Sequence, residues 1–249
     1  MLEIRGLTKY FGGVVAVAGL DITIKQGEIV GLIGPNGAGK TTLFNLITGF
    51  LRPTKGKIVF EGEDITGQKP HYLAERGIVR TFQLNSIFPN FSVLQNIVAA
   101  CYLKPKVGLW EDAFHTPSSR RKKEYALSRA KEILKFTGLD TQEDKLAEEL
   151  SSGWRKTLSV AITLAANPRL LLLDEPVTTL DPERVAFIMN LVTKMRESGV
   201  TVVVIEHNMK AIMDYCDRIV VMAFGRKIAE GSPEEVRQNR DVIDAYLGV

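Results

Sequence analysis

The chain has 249 residues, 45% of them hydrophobic and 24% charged, with 32 Lys and Arg against 29 Asp and Glu for a net charge of +3. That length gives room for one or two domains with a real core, and the composition excludes the disordered and collagen-like classes. A surplus this small carries no argument for nucleic-acid binding.

Leu20 to Lys25 alternates apolar and polar residues, Gln26-Gly27 reads as a turn, and Ile29-Val30-Gly31-Leu32-Ile33 reads as a buried strand. A glycine-rich stretch follows and leads into Thr41 to Ile47, whose apolar positions have helical spacing, with Gly49 as a stop. The longest uncharged stretch, Thr81 to Leu103, is interrupted by Gln83, Asn85, Ser86, Pro89, Asn90, Gln95 and Asn96, which rules it out as a membrane-spanning helix. From about Asn85 to Ala165 the pattern turns helical. Pro117 is placed for a first helical turn and Gly138 for a C-terminal stop. Leu170 to Asp174 and Val200 to Ile205 then read as buried strands with a helix, Glu183 to Arg196, between them, a crossover that makes the strands parallel. Ser232-Pro233-Glu234-Glu235 has the form of a capping box and predicts a short C-terminal helix.

Cys101 and Cys216 are far apart and lack a C-x-x-C or Cys/His cluster, so no disulfide framework or zinc site is expected. With no basic and apolar leader pattern at Met1 to Arg5, a reduced cytosolic setting is the expectation.

Gly34-Pro35-Asn36-Gly37-Ala38-Gly39-Lys40-Thr41 fits G-x-x-x-x-G-K-[ST] between a buried strand and a helix, the context its chemistry needs. Backbone N–H groups of such a turn face a phosphate and the helix N-terminus adds positive potential. Lys40 reaches the β and γ oxygens, and Thr41 offers its hydroxyl to Mg²⁺. Thr42 lies within the same binding stretch. The apolar strand ending in Asp174-Glu175 has the form of a Walker B segment; alone it could equally be a buried strand finishing at a turn. Beside a phosphate loop, Asp174 can hold Mg²⁺ and Glu175 can orient or deprotonate water. His207 follows the last strand and so falls at the same sheet edge, placed to sense a γ-phosphate, whereas His71 and His115 lie in polar segments.

The order of phosphate loop, Gln83, Leu150-Ser151-Ser152-Gly153, Leu170 to Glu175, Thr179-Leu180-Asp181 and His207 resembles the ATP-binding cassette ATPases over essentially the whole chain. Arg80-Thr81-Phe82-Gln83, Val204 to Met209 and the ending Asp241 to Gly248 look most like the ATPase subunits of branched-chain amino acid importers. The resemblance implies an α/β fold: a P-loop NTPase core of RecA-like type with a mainly parallel sheet, an N-terminal antiparallel β subdomain and an inserted α-helical subdomain. The expected division is 1–84 and 166–230 for the core, 85–165 for the helical subdomain and 231–249 for a C-terminal extension.

It further implies that Phe11 or Tyr10 stacks on adenine, that Gln83 contacts Mg²⁺ or the attacking water, that Ser151 and Gly153 bind the γ-phosphate held by an opposite protomer, and that Asp181 links the two sites. ATP and Mg²⁺ are the implied cofactors. The implied partners are a membrane permease, received near Leu84 to Val98, and a second ATPase subunit, identical or paralogous, in a head-to-tail dimer on the inner membrane face. No nucleic acid is expected. The chain departs from the family signature at Trp154, where glutamine is usual, and at Ser152 before Gly153. Alternatives are an ATPase for urea, another amino acid or lipid export, a soluble cassette acting on ribosomes or DNA, and a non-hydrolysing regulator. The basic run Arg120 to Lys123 is a solvated helix face or a contact for anionic head groups.

Overall fold

The structure, a computed structural model, describes residues 1–81, 87–102 and 117–247. In chain order these form β1 (Leu2–Phe11), β2 (Val14–Ile24), β3 (Ile29–Ile33), α1 (Lys40–Ile47), β4 (Lys55–Phe60), β5 (Glu63–Asp64), α2 (Pro70–Glu75), β6 (Ile78–Arg80), α3 (Val93–Tyr102), α4 (Pro117–Thr137) and α5 (Ser152–Ala165). There follow β7 (Leu170–Asp174), α6 (Pro182–Glu197), β8 (Thr201–Ile205), α7 (Met209–Tyr215), β9 (Arg218–Ala223), β10 (Arg226–Gly231), α8 (Pro233–Gln238) and α9 (Arg240–Leu247). Two compact units result, Met1–Arg80 with Arg169–Val249, and Thr81–Pro168.

The first unit holds an antiparallel sheet in the order β2-β1-β4-β5 and a six-stranded sheet in the order β10-β9-β3-β8-β7-β6, parallel except for β10 against β9. This is the α/β class with a mainly parallel sheet and an antiparallel subdomain that the resemblance implies. Strands β3, β7 and β8 are apolar runs because helices and the second sheet cover both faces; all four leucines of β7 are fully buried. Leu43, Phe44, Leu46 and Ile47 of α1 share one core with Leu2, Ile4 and Leu7 of β1 and with Leu32, Leu172 and Val203 of the parallel sheet. The helix after the phosphate loop is thereby packed between the two sheets, which fixes the loop's direction. The chain leaves this unit at Arg80 and re-enters at Arg169, where the N–H groups of Arg169 and Leu170 both donate to the Gly77 carbonyl, at 2.8 and 3.0 Å.

The second unit is helical. Its α4 begins at Pro117 and stops before Gly138, whose φ of 68° supplies the left-handed terminus. The predicted C-terminal helix is two short ones, α8 with the Ser232/Glu235 capping box in place, then α9. Short α2, with Leu73 its only buried residue, carries no periodicity that the sequence reading could detect. Among the described residues no helix is long and apolar enough to cross a membrane. Both cysteines are free and buried, and burial pushes the Cys216 thiol up to about 12.

Candidate functional site

Three parallel strands end level with one another. Ile205 of β8 pairs with Leu32 of β3 on one side and with Asp174 of β7 on the other, so the phosphate loop, Glu175 and His207 all emerge at the carboxyl edge of the sheet. Ligands of open α/β sheets bind at this edge.

The phosphate loop is shaped by close backbone approach. A Cβ on Gly34 (φ 148°) would fall 1.9 Å from the Met222 carbonyl oxygen, and one on Gly39 (φ 99°) 2.4 Å from that of Ala16. The Ala38 N–H donates to the Pro35 carbonyl at 3.2 Å, and Asn36 and Gly37 are exposed at the crest. Lys40, buried at the start of α1, turns back to donate to the Gly34 and Pro35 carbonyls at 2.6 and 3.1 Å. Burial lowers its pKa from the ordinary lysine value, opposed by the carboxylates of Glu175 and Asp174. The cation is thus held on loop carbonyls that an anion can compete with. Thr41 is exposed and Thr42 half-buried in the same turn.

At the end of β7, an Asp174 oxygen accepts from Arg80 Nη2 at 2.6 Å, with both side chains 8% exposed. The other arm of Arg80 donates to Asn45 at 2.6 Å, and its guanidinium lies 5.4 Å from the Phe44 ring centroid. Glu175 takes a left-handed φ of 52°, a strained conformation for a residue with a side chain. Its N–H donates to the Ile205 carbonyl, and its Oε1 lies 3.2 Å from His207 Nε2. Behind this pair sits Glu206, 1% exposed. Its carboxylate accepts from the Val177 N–H (2.6 Å), the Thr178 hydroxyl (3.1 Å), the His207 N–H (3.0 Å) and the Asn208 N–H (3.5 Å). One buried acid therefore ties the segment after Glu175 to the segment that carries His207.

With the phosphate cradle, its lysine and a strand-end pair of acids assembled, the match over residues 17–178 to the ABC transporter family is decisive. The chain belongs to the ATP-binding cassette transporter family. Residues 226–249 of the cassette also match the branched-chain amino acid ATP-binding cassette transporter family. The high-affinity branched-chain amino acid transport ATP-binding proteins BraF of Pseudomonas aeruginosa and LivG of Escherichia coli are 40% and 39% identical to it over 249 residues. Each alignment covers 100% of this chain and 98% of the relative. A cassette of an ABC transporter in its ADP conformation superposes with a TM-score of 0.88 at 34% identity, covering 100% of this chain and 99% of that one. A dimeric, post-hydrolysis cassette bound to ADP and Pi does so at 0.77 and 27%, covering 94% and 99%. The cassette is a nucleotide-binding ATPase.

Tyr10 and Phe11 end β1 and are 40% and 46% exposed, with Lys9 Nζ 5.2 Å from the Phe11 ring centroid. Asp181 is the N-cap of α6, accepting from the Arg184 N–H at 2.9 Å. Gln83 lies outside the described residues. In the helical unit Ser151 is the exposed N-cap of the 14-residue α5, with no side-chain cap bond, and Gly153 is buried in its first turn, its carbonyl taken by Thr157 at 3.0 Å. In that unit Phe88 and Phe91 are exposed and packed 5.1 Å apart, while Val93 is buried. Asn96, 2% exposed, accepts from the Phe88 N–H and donates to the carbonyls of Phe88, Phe91 and Ser92, fixing that loop. Nothing in the sequence pattern alone assigns a role to Arg80, Glu206 or Asn96. An acid adjacent to His207 was the one signal available for Glu206.

Proposed function

We propose that this cassette is the ATP-hydrolysing subunit of a branched-chain amino acid importer, working against a separate membrane permease on the cytoplasmic face and as one of two ATPase subunits in a head-to-tail pair. The observation that carries the reading is the Glu175–His207 contact at 3.2 Å on the sheet edge from which the Lys40 cradle also emerges. The match of residues 226–249 to the branched-chain family supports the choice of solute over urea, lipid export or a non-transport role.

In this mechanism the backbone N–H groups of the loop from Asn36 to Gly39 and Lys40 bind the β and γ phosphates, and Lys40 exchanges its loop carbonyls for phosphate oxygens. Phe11 stacks on the base. Glu175 orients the attacking water and accepts its proton, and His207 holds the Glu175 carboxylate and senses the γ-phosphate. Thr41, Asp174 and Gln83 would hold Mg²⁺. Oxygen donors from a hydroxyl and a carboxylate suit that ion, which supplies charge neutralisation on the phosphates when bound. Ser151 and Gly153, at the N-terminus of α5, meet the γ-phosphate held by the other subunit, adding the positive end of a helix. Asp181 connects the two sites. The 84–98 segment, with Phe88 and Phe91 exposed, receives an apolar permease helix.

The test is Glu175→Gln in the purified chain. It is expected to bind Mg-ATP, stop turnover and run as a dimer in size exclusion, while Lys40→Ala loses tight nucleotide binding. A Glu175→Gln protein that stays monomeric at saturating Mg-ATP defeats the dimer mechanism. Radiolabelled leucine uptake that survives Lys40→Ala in cells defeats the import reading.

A further inference from the structure

Phe224 has a conformation and an exposure that its own fold does not explain. Ala223 pairs with Arg226 across β9 and β10, leaving a two-residue turn in which Phe224 (φ 50°) and Gly225 (φ 75°) are both left-handed. This is type I′ geometry, which Asn-Gly or Asp-Gly fills with least strain. A phenylalanine there is an outlier, and at 87% it is the most exposed large apolar side chain of the described residues. Strain and exposed apolar area both count against it, and no packing in the free chain offsets either.

The turn is anchored on the nucleotide site. Gly225 donates to the Ala38 carbonyl of the phosphate loop at 3.1 Å and accepts from the Ala18 N–H at 2.8 Å. A Cβ on Gly225 would lie 2.8 Å from the Ala16 carbonyl oxygen, and one on Gly39 would lie 3.5 Å from the Gly225 Cα. Phe224 thus stands one residue from the phosphate loop on one side and from β2 on the other. Directly before Ala16, Val14 and Val15 pair with Phe11 and Tyr10, themselves exposed. The turn is thus tied to the strand that pairs with Tyr10 and Phe11, the aromatic end of β1 to which the base of a nucleotide held in Gly34 to Thr41 is assigned above.

Resting on the reading of that loop as an ATP site, we propose that Phe224 is a second aromatic wall for the nucleobase, complementary to the one at the end of β1. Stacking on the base offsets, in the bound state, the strain carried in the free state. The turn residue then contributes affinity through the base and nothing through the phosphates.

The experiment measures binding of ATP, ADP and inorganic tripolyphosphate to the full chain and to Phe224→Asn and Phe224→Tyr, together with urea unfolding. Phe224→Asn is expected to raise the unfolding midpoint and to weaken ATP and ADP by at least about fivefold, leaving tripolyphosphate within about twofold. Phe224→Tyr keeps wild-type affinities. Unchanged ATP affinity in Phe224→Asn overturns the proposal and leaves this aromatic to a protein contact. An equal loss for tripolyphosphate overturns it too, since the turn would then act by deforming the loop. A wild-type chain that binds neither ATP nor tripolyphosphate is a different result, and removes the ATP-site reading on which the proposal rests.

Discussion

Arg80 neutralises Asp174 from inside the sheet. The two side chains meet at 2.6 Å, with 8% of each exposed, because β6 and β7 are parallel neighbours that set Arg80 against Leu172, two residues before the acid. Removing Arg80 takes a directly hydrogen-bonded cation from a carboxylate that is itself buried. Arg80→Leu is therefore expected to cost about 3–5 kcal/mol of stability in urea unfolding. Arg80→Leu combined with Asp174→Leu recovers most of that loss, since two apolar residues replace two charges. A single-variant cost under about 1 kcal/mol means that solvent reaches Asp174 and that the pair is not a structural constraint on it.

Lys40 yields a prediction with a definite pH sign. Burial lowers its pKa from the ordinary value of 10.5, so the folded state binds this proton less tightly than the unfolded chain does. The unfolded state then carries more protons between the folded pKa and 10.5, and stability rises with pH across that window. Below it the penalty is present in full. Lys40→Met removes the buried cation, so the variant is expected to match or exceed wild-type stability at neutral pH, with the gap closing as pH climbs toward 10.5, while nucleotide binding is lost. Denaturation curves at a series of pH values check this, and a Lys40→Met protein clearly less stable than wild type at pH 7 contradicts it.

The phosphate loop contains two glycines whose substitutions should behave differently. At Gly34 a Cβ collides with the Met222 carbonyl oxygen at 1.9 Å, whereas at Gly37 (φ 79°) nothing lies within 4 Å. Gly37→Ala is expected to cost only the left-handed backbone penalty, about 1–2 kcal/mol. Gly34→Ala must displace β9 and is expected to give little folded protein. Comparable expression and midpoints for the two variants would show that the loop yields to a methyl group at Gly34.

Local chemistry made part of this molecule readable in advance. The strand, glycine loop and helix around Lys40, the leucine strand ending in Asp174-Glu175, and α4 between Pro117 and Gly138 are each set by neighbours in sequence. Arg80 stands in a familiar string, yet its partner lies 94 residues away and is chosen by strand order, which periodicity does not encode. The turn at Phe224 is not legible in sequence because phenylalanine sends none of the usual hairpin signals. Glu206 reads in sequence as one more acid, since only tertiary burial shows that it accepts from four groups at once.

Glu206 also supplies the most discriminating test of the site. Three backbone N–H groups and one hydroxyl converge on its two oxygens. Glutamine offers a single acceptor oxygen and turns an amide N–H₂ toward backbone N–H groups, which only donate, so Glu206→Gln must let go of the Val177 side or the His207 side. If Glu206 positions His207 against Glu175, Glu206→Gln lowers kcat by roughly tenfold, about 1.4 kcal/mol in the transition state, with KM for ATP within about twofold. His207→Ala made on top of it then adds little, because the histidine has already lost its place. A purely architectural role predicts another pattern: lower unfolding midpoint, kcat per folded molecule unchanged, and effects of the two substitutions that multiply. Steady-state ATPase assays on the four members of this cycle, corrected for folded fraction, separate the two, and multiplying effects would mean that Glu206 braces the fold without aiming the histidine.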